Sequence, residues 1–533
     1  MRRAPLTAAV ALAILLAPCA TACANGAGGG GSASATSVTA VASGTSRPTS
    51  SSGSSSGSSS GPAGPATSTG PGASTTPASD APVIAPPRDP TPAQPCDGKA
   101  VVCVDPSARA AAPDGTGANP FPTVGTAIAA AGPFATIQIA AGVYQEAVVL
   151  TGAEGLSLIG GFVAGGDFSR RDPSADATVL DGNDQAPVID VVASSGVRIE
   201  GLRITGGGGH SDGSNWSGGG ISIDQDSTNV TIAGNRLDGN AVDHGADPGA
   251  ARGGAIYSDG KVVTIIDNVV QGNRAGRGAG IAAFGKTTIE RNTVRDNVSV
   301  GDHGGGLYLA GEPTVIANRV EGNRVGTEYS WGGGIIVFGD DTHATLRSNV
   351  ITDNLAITAG SGLFVDDGAD ATLSNELYYA NRCASDGGAG VLVDSGGQTP
   401  TALDATNVTI AQHVCPDSYL GGNAVLVEVS QEGDPPPEVT IRNSILWGNG
   451  GSDLVGAGSS AKTTFTLTEQ AIDGEGNLRG DPGFVDPQAG DFHLRSGSPA
   501  IDAGDPAAGY AAEPDPNGGR LDLGHTGNTA EAT

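Results

Sequence analysis

Gly253-Gly-Ala-Ile-Tyr-Ser258, then Val262-Val-Thr-Ile-Ile-Asp-Asn268, then Val269-Val-Gln-Gly-Asn273 is one unit of a repeat, and its reading decides the fold. Three short runs of β-forming residues are separated by glycine and asparagine turns. Outward from this stretch the same unit recurs. Glycine restarts lead to aliphatic markers at Ile221, Ile256, Ile281, Leu307, Ile335, Leu363, Val391 and Val425, spaced 25 to 35 residues apart. Asparagines keep the same register: Asn235/Asn240, Asn268/Asn273, Asn292/Asn297, Asn318/Asn323 and Asn349/Asn354 share an offset of five. A period of this length marks stacked coils. Three strands per turn with asparagine corners predict an all-β chain, a right-handed single-stranded parallel β-helix of about ten coils. Stacked asparagines bond one another up the axis and tolerate left-handed backbone at corners. A leucine-rich repeat would need regular leucine spacing, and a propeller four longer strands per blade.

Composition agrees. Among 533 residues there are 86 glycines, one methionine and only 4% aromatic side chains, which suits turn-rich β-structure rather than a helical core. The net charge of −29 argues against nucleic acid and anionic lipid, which need a basic footprint. It reads mainly as a solvated acidic surface, compatible with calcium or with a cationic or neutral polymer.

The N-terminus reads as an export signal. Arg2 and Arg3 precede an apolar stretch, Leu6 to Ala17, too short to span a bilayer. Ala20-Thr-Ala-Cys23 follows and resembles a bacterial lipobox, with Cys23 favoured over Cys19 because Pro18 would hinder cleavage there. Ala20 stands where leucine is usual, and ordinary secretion after a small-residue site is the alternative. Residues 1–23 are therefore the expected lipoprotein signal. Residues 24–95, rich in Ser, Gly, Thr and Pro, are an expected disordered tether. Residues 96–455 are the expected β-helix, and 456–533 a C-terminal module.

A short helix led by Thr123, with Val124, Ile128 and Ala131 on one face, is expected to cap the open solenoid end. Cys383 and Cys415 each lie eight residues after an asparagine, Asn375 and Asn407, so stacking of those coils brings them together. Cys383–Cys415 and a small loop closed by Cys96–Cys103 are the expected disulfides.

The glycine-rich restarts with corners such as Val270-Gln-Gly-Asn273 and Tyr378-Tyr-Ala-Asn381 resemble the repeats of chlamydial polymorphic outer-membrane proteins. The usual corner phenylalanine is mostly Val, Leu or Ile here. Gly115-Thr-Gly-Ala-Asn-Pro-Phe-Pro-Thr123 through Gly142-Val-Tyr-Gln-Glu146 is similar to the start of pectin-lyase-like β-helix proteins. Asp481-Pro-Gly-Phe-Val-Asp486 through Ser498-Pro-Ala-Ile-Asp502-Ala-Gly504 resembles the choice-of-anchor Q module. These resemblances imply a surface β-helix, held here by its lipobox, and they imply no single activity.

Pectate lyases of this fold pair calcium-binding aspartates with an Arg-x-Pro arginine. Asp243-His244 and Asp302-His303 are present, without that partner. Polygalacturonases need Gly-His-Gly and Arg-x-Lys, which are missing although Asp340-Asp341 and Asp366-Asp367 occur. Zinc spacings, a nucleophile elbow and a phosphate loop are also missing. Asp515-Pro-Asn-Gly-Gly-Arg-Leu-Asp522 lacks the full acidic spacing of a calcium loop. The segments between corner asparagine and glycine restart fall on one edge, with uneven lengths, where binding sites form. Trp216, Arg274, Arg324, Tyr329 and Trp331 share that edge as candidate ligand contacts. Asp243, His244, Asp302 and His303 are the catalytic candidates, since coil spacing places the two Asp-His pairs about 10 Å apart and inverting carboxylates need about 6.5–9.5 Å. The reading is an exported, surface-anchored binding or structural protein, adhesin-like or glycan-contacting. A polysaccharide lyase or glycoside hydrolase working in a loop-lined groove is the alternative. A glycan partner, a monomer, membrane contact only through lipid, no required cofactor and calcium as an option complete the expectations.

Overall fold

A computed structural model describes residues 91–533 except 167, 176, 212–215, 244–246, 327–329, 385–388, 416–422, 431 and 457–460. Cys23, most of the tether, His244 and Tyr329 therefore lie outside the described residues. All described residues belong to one compact unit, 78–533.

Apolar runs of three to five residues are too short to bury a core alone, so each unit stacks on the next. The aliphatic markers form an eleven-stranded parallel sheet, called here the marker sheet, with Ile221, Ile256, Ile281 and Leu307 in register. Runs such as Val262–Ile266 build a thirteen-stranded second wall, and runs such as Val269–Gln271 a thirteen-stranded third wall. Inward side chains of all three walls form one continuous aliphatic core from Val102 to Leu446. This is the right-handed parallel β-helix that the repeat predicts.

A fourth sheet corrects the expectation of three strands per turn. The segments after each second asparagine pair up the axis as six short parallel strands, including Arg274–Arg277, Val298–His303 and Arg324–Val325, and the antiparallel pair His210–Ser211 and Trp216–Ser217 completes an eight-stranded sheet. They lie at coil spacing, so their backbone groups find partners above and below: Arg274 N–H donates to Asn240 O, and Val242 N–H to Arg274 O. We call this the corner sheet.

The asparagines form two buried columns. In one, the backbone N–H and Nδ2 of Asn268 both donate to Oδ1 of Asn292 at 2.9 Å, and Asn292 repeats this onto Asn318. The other runs from Asn240 through Asn273, Asn297, Asn323 and Asn354 to Asn381. Glu376 ends the first column and His413 continues the second. The left-handed backbone falls on the residue before the asparagine, at Asp267, Arg291, Ala317 and Ser348, because the asparagine itself must point inward.

The short helix is Val124–Ala130, capped by Thr123, whose hydroxyl accepts from Thr126 N. Glu146 adds bonds to Val124 N and Gly125 N. Cys96 pairs with Cys103 and Cys383 with Cys415, at Cα separations of 5.8 and 4.6 Å.

Two boundaries move. Residues 91–95, read as tether, are pinned to the second wall through Thr91 and Gln94. Wall strands continue past 455 to Leu478–Arg479, because Lys462–Thr464 and Leu467–Thr468 still pair on the preceding coil. The remaining chain turns back along the third wall. Phe484, Phe492, Leu494 and Leu523 cover Leu377, Ala411 and Ile445 from outside.

Candidate functional site

The residue after each aliphatic marker points away from the core, because strand side chains alternate. Asp190, Ser222, Tyr257, Ala282, Tyr308, Ile336, Phe364, Leu392 and Leu426 are in register as one outward column. Two residues further along stand Asp259, Phe284, Phe338 and Asp366. Rings of the two columns touch: Tyr257–Phe284 at 5.4 Å, Phe284–Tyr308 at 5.7 Å and Tyr308–Phe338 at 6.0 Å between centroids. From Tyr308 onward the column is closed over, with Phe364 2% and Leu392 1% exposed. Tyr257 and Phe284, at the open end, are half-buried.

The corner sheet flanks this face with a second register: Ser217, Arg252, Arg277, His303, Trp331 and Ala359. Arg252 lies over the Phe284 ring at 5.4 Å. Arg277 grips Asp302 with two parallel bonds of 2.8 Å, and His303 Nδ1 lies 2.8 Å from the same carboxylate. Burial alone would raise Asp302, but the contacts with His303 and Arg277 outweigh it and hold the carboxyl well below the usual range. Both Asp302 oxygens are engaged, which makes the carboxylate an anchor for Arg277. The His303 ring stacks on Trp331 at 5.5 Å and on Phe364 at 6.3 Å.

The structure therefore brings together Asp302, His303 and Trp331 from the sequence candidates. Asp243 is exposed on the connection before Pro248–Ala250. Trp216 packs instead against Val242, Ala251, Ala275 and Ala279. Arg274 and Arg324 begin corner strands two coils apart, both exposed, with Val298 between them in register. Among the described residues no set of three His, Cys, Asp or Glu side chains is arranged to hold a metal.

At the open end of the face two carboxyls are perturbed the other way. Burial raises Asp190 against the opposing influence of His210 and a Ser222 hydrogen bond. Burial also raises Asp259, with Arg252 opposing and Asp224 adding to it.

Models of the family described as "Right handed beta helix region" match residues 181–303, 253–405 and 285–469, together more than half of the chain. The chain belongs to this right-handed β-helix family. Among solved structures it is similar to pectate lyase Pel9A at 13% identity and a TM-score of 0.41, covering 81% of this chain and 98% of that one. It is also similar to the pectin methylesterase of Aspergillus niger at 15% identity and a TM-score of 0.33, covering 54% of this chain and 85% of that one. No curated protein matches.

In this member of the β-helix family, sequence reasoning missed Asp190, Arg252, Tyr257, Asp259 and Phe284. Their signal was present: each lies one or three residues after an aliphatic marker, or just before a glycine restart, where alternation turns a side chain outward.

Proposed function

We propose that this is an exported, surface-held β-helix protein that binds a glycan along the open end of the marker-sheet face. The observation that carries the reading is the placement of the half-buried rings Tyr257 and Phe284 beside Arg252 and the Arg277–Asp302 pair. Aromatic faces stack on sugar rings, and guanidinium groups bond hydroxyls and carboxylates. Export is supported by the basic and apolar N-terminal segment and by two disulfides, which persist in oxidising compartments. Lipidation at Cys23 would hold the protein at the bacterial cell surface. The strongly acidic balance supports a neutral or cationic partner over nucleic acid.

Retention of a panel of neutral and acidic polysaccharides on the immobilised chain tests this. One polymer is expected to be retained, and Tyr257→Ala with Phe284→Ala to weaken it by about tenfold or more, as for loss of one or two stacking contacts. Retention unchanged in the double variant would overturn the reading. A hydrolase or lyase is the second reading, favoured by the raised carboxyls of Asp190 and Asp259 on the same face. It requires depolymerisation that Asp190→Asn or Asp259→Asn abolishes, with and without added calcium.

A further inference from the structure

The chain just ahead of the first coil is held in a way that neither folding of the solenoid nor the glycan reading requires. Glu200 and Gln138 are both fully buried, yet they stand on the outer side of the second wall and reach across to residues 91–94. Thr91 N–H donates to Glu200 Oε1 at 2.9 Å and its hydroxyl to Oε2 at 2.7 Å. Arg171 Nη1 donates to Thr91 O at 3.0 Å while also pairing with Glu200. Three residues on, Gln138 does the same with a neutral amide: its Oε1 accepts from Gln94 N at 2.8 Å, and its Nε2 donates to Gln94 O at 2.6 Å. Arg198 Nε supports both Glu200 and Thr91 from the side. Ala93 packs between these points against the cluster of Ile159, Phe162 and Phe168, and Cys96 closes the far end through Cys103.

Both main-chain groups of two residues are thus satisfied by buried side chains, as an added β-strand would satisfy them. The bonds at Thr91 are charge-assisted and shielded from water, where they are strongest. Load drawn along residues 91–96 meets these bonds side by side.

We propose that residues 91–96 are a mechanical clamp, which passes tension from the low-complexity segment into the second wall at Gln138 and Glu200 rather than into the terminal strand Val101–Val104. The biological need for such a clamp rests on the surface-tether reading above. The clamp itself does not, so it is tested on the purified full chain away from any membrane.

Two measurements are made on wild type and on the double variant Thr91→Pro, Gln94→Pro, which removes both strap N–H donors and touches no solenoid residue. Matching far- and near-ultraviolet circular dichroism spectra of the two confirm that the coils fold alike. In wild type, amide exchange at Thr91 and Gln94 is expected to be slowed by about 10- to 100-fold, the range for buried bonds to charged or polar groups. When the chain is pulled from its N-terminal segment against its C-terminus, the variant is expected to lengthen early by about 20 Å, six residues of extended chain. Rapid exchange of both amides in wild type, or force–extension curves that coincide for the two proteins, would overturn the proposal. If glycan binding fails while the clamp behaves as expected, only the functional reading falls.

Discussion

Glu376 and Asn297 occupy equivalent kinds of place, inward at a coil corner, and they obey different physics. Oδ1 of Asn297 accepts from both N–H and Nδ2 of Asn273, and its own Nδ2 donates to Val270 O and to Asn323. Asn297→Ala leaves buried donors and an acceptor without partners. A loss of about 2–3 kcal/mol is expected, read as a lower denaturant midpoint with an unchanged slope. Glu376 takes the end of the other column and accepts from Asn349 N and Nδ2. Its burial outweighs those bonds and pushes the carboxyl up to about 8, from an ordinary 4.5. The folded protein therefore keeps a proton that the unfolded chain has released, and stability falls as pH rises from 4.5 to 8. Glu376→Gln should flatten that slope and unfold at higher denaturant than wild type at pH 8. Parallel curves for the two proteins would refute the assignment. Gly390 belongs to the same scale: a Cβ there would meet the buried His413 ring, so Gly390→Ala is expected to cost about 1–3 kcal/mol through overpacking.

At the scale of elements, the markers and asparagine pairs made the coils legible, since a hydrophobic side chain and a ladder asparagine must recur once per turn. The helix behind Thr123 was legible from its cap, Cys383–Cys415 from coil spacing, and Cys96–Cys103 as a short closed loop. Other features were not. The corner sheet escaped because Arg274–Arg277 and Arg324–Val325 are too short and polar to show a strand pattern, and they become strands only when neighbouring coils supply partners. The left-handed positions were assigned to the asparagines, whereas the inward demand on the side chain shifts them one residue back, to Asp267 and its equivalents. The solenoid's end was set too early because Lys462–Thr464 and Leu467–Thr468 lack a glycine restart. For the candidate site, sequence reasoning found Asp302, His303 and Trp331, and missed Tyr257, Phe284 and Asp190, whose outward direction follows from alternation. It offered Asp302 as a catalytic candidate, and the structure adds that Arg277 binds its carboxylate.

On the scale of the whole molecule, the described residues form stacked coils with a C-terminal segment laid on one wall. The C-terminal segment docks on the third wall, where Asn375 and Asn407 donate to Gly527 O and His525 N–H bonds to the Thr409 hydroxyl. Burial, then the charge of His493, pushes the His525 imidazole down to about 4 from 6.5. The docked state therefore stays unprotonated where a released histidine would bind a proton, so the His525 contribution to docking is present above pH 6.5 and is lost as pH falls toward 4. Limited proteolysis beyond residue 479 is expected to accelerate between those values, and His525→Asn to remove most of the pH dependence.

The central claim is that ligand lies on the open end of the marker-sheet face. Hydroxyl-radical footprinting of the full chain, with and without the polysaccharide it retains, tests this most directly. The account predicts protection at Arg252, Tyr257 and Phe284, with Trp447 on the far side unchanged. Protection confined to other walls, or to the exposed corner arginines Arg274 and Arg324, would contradict it.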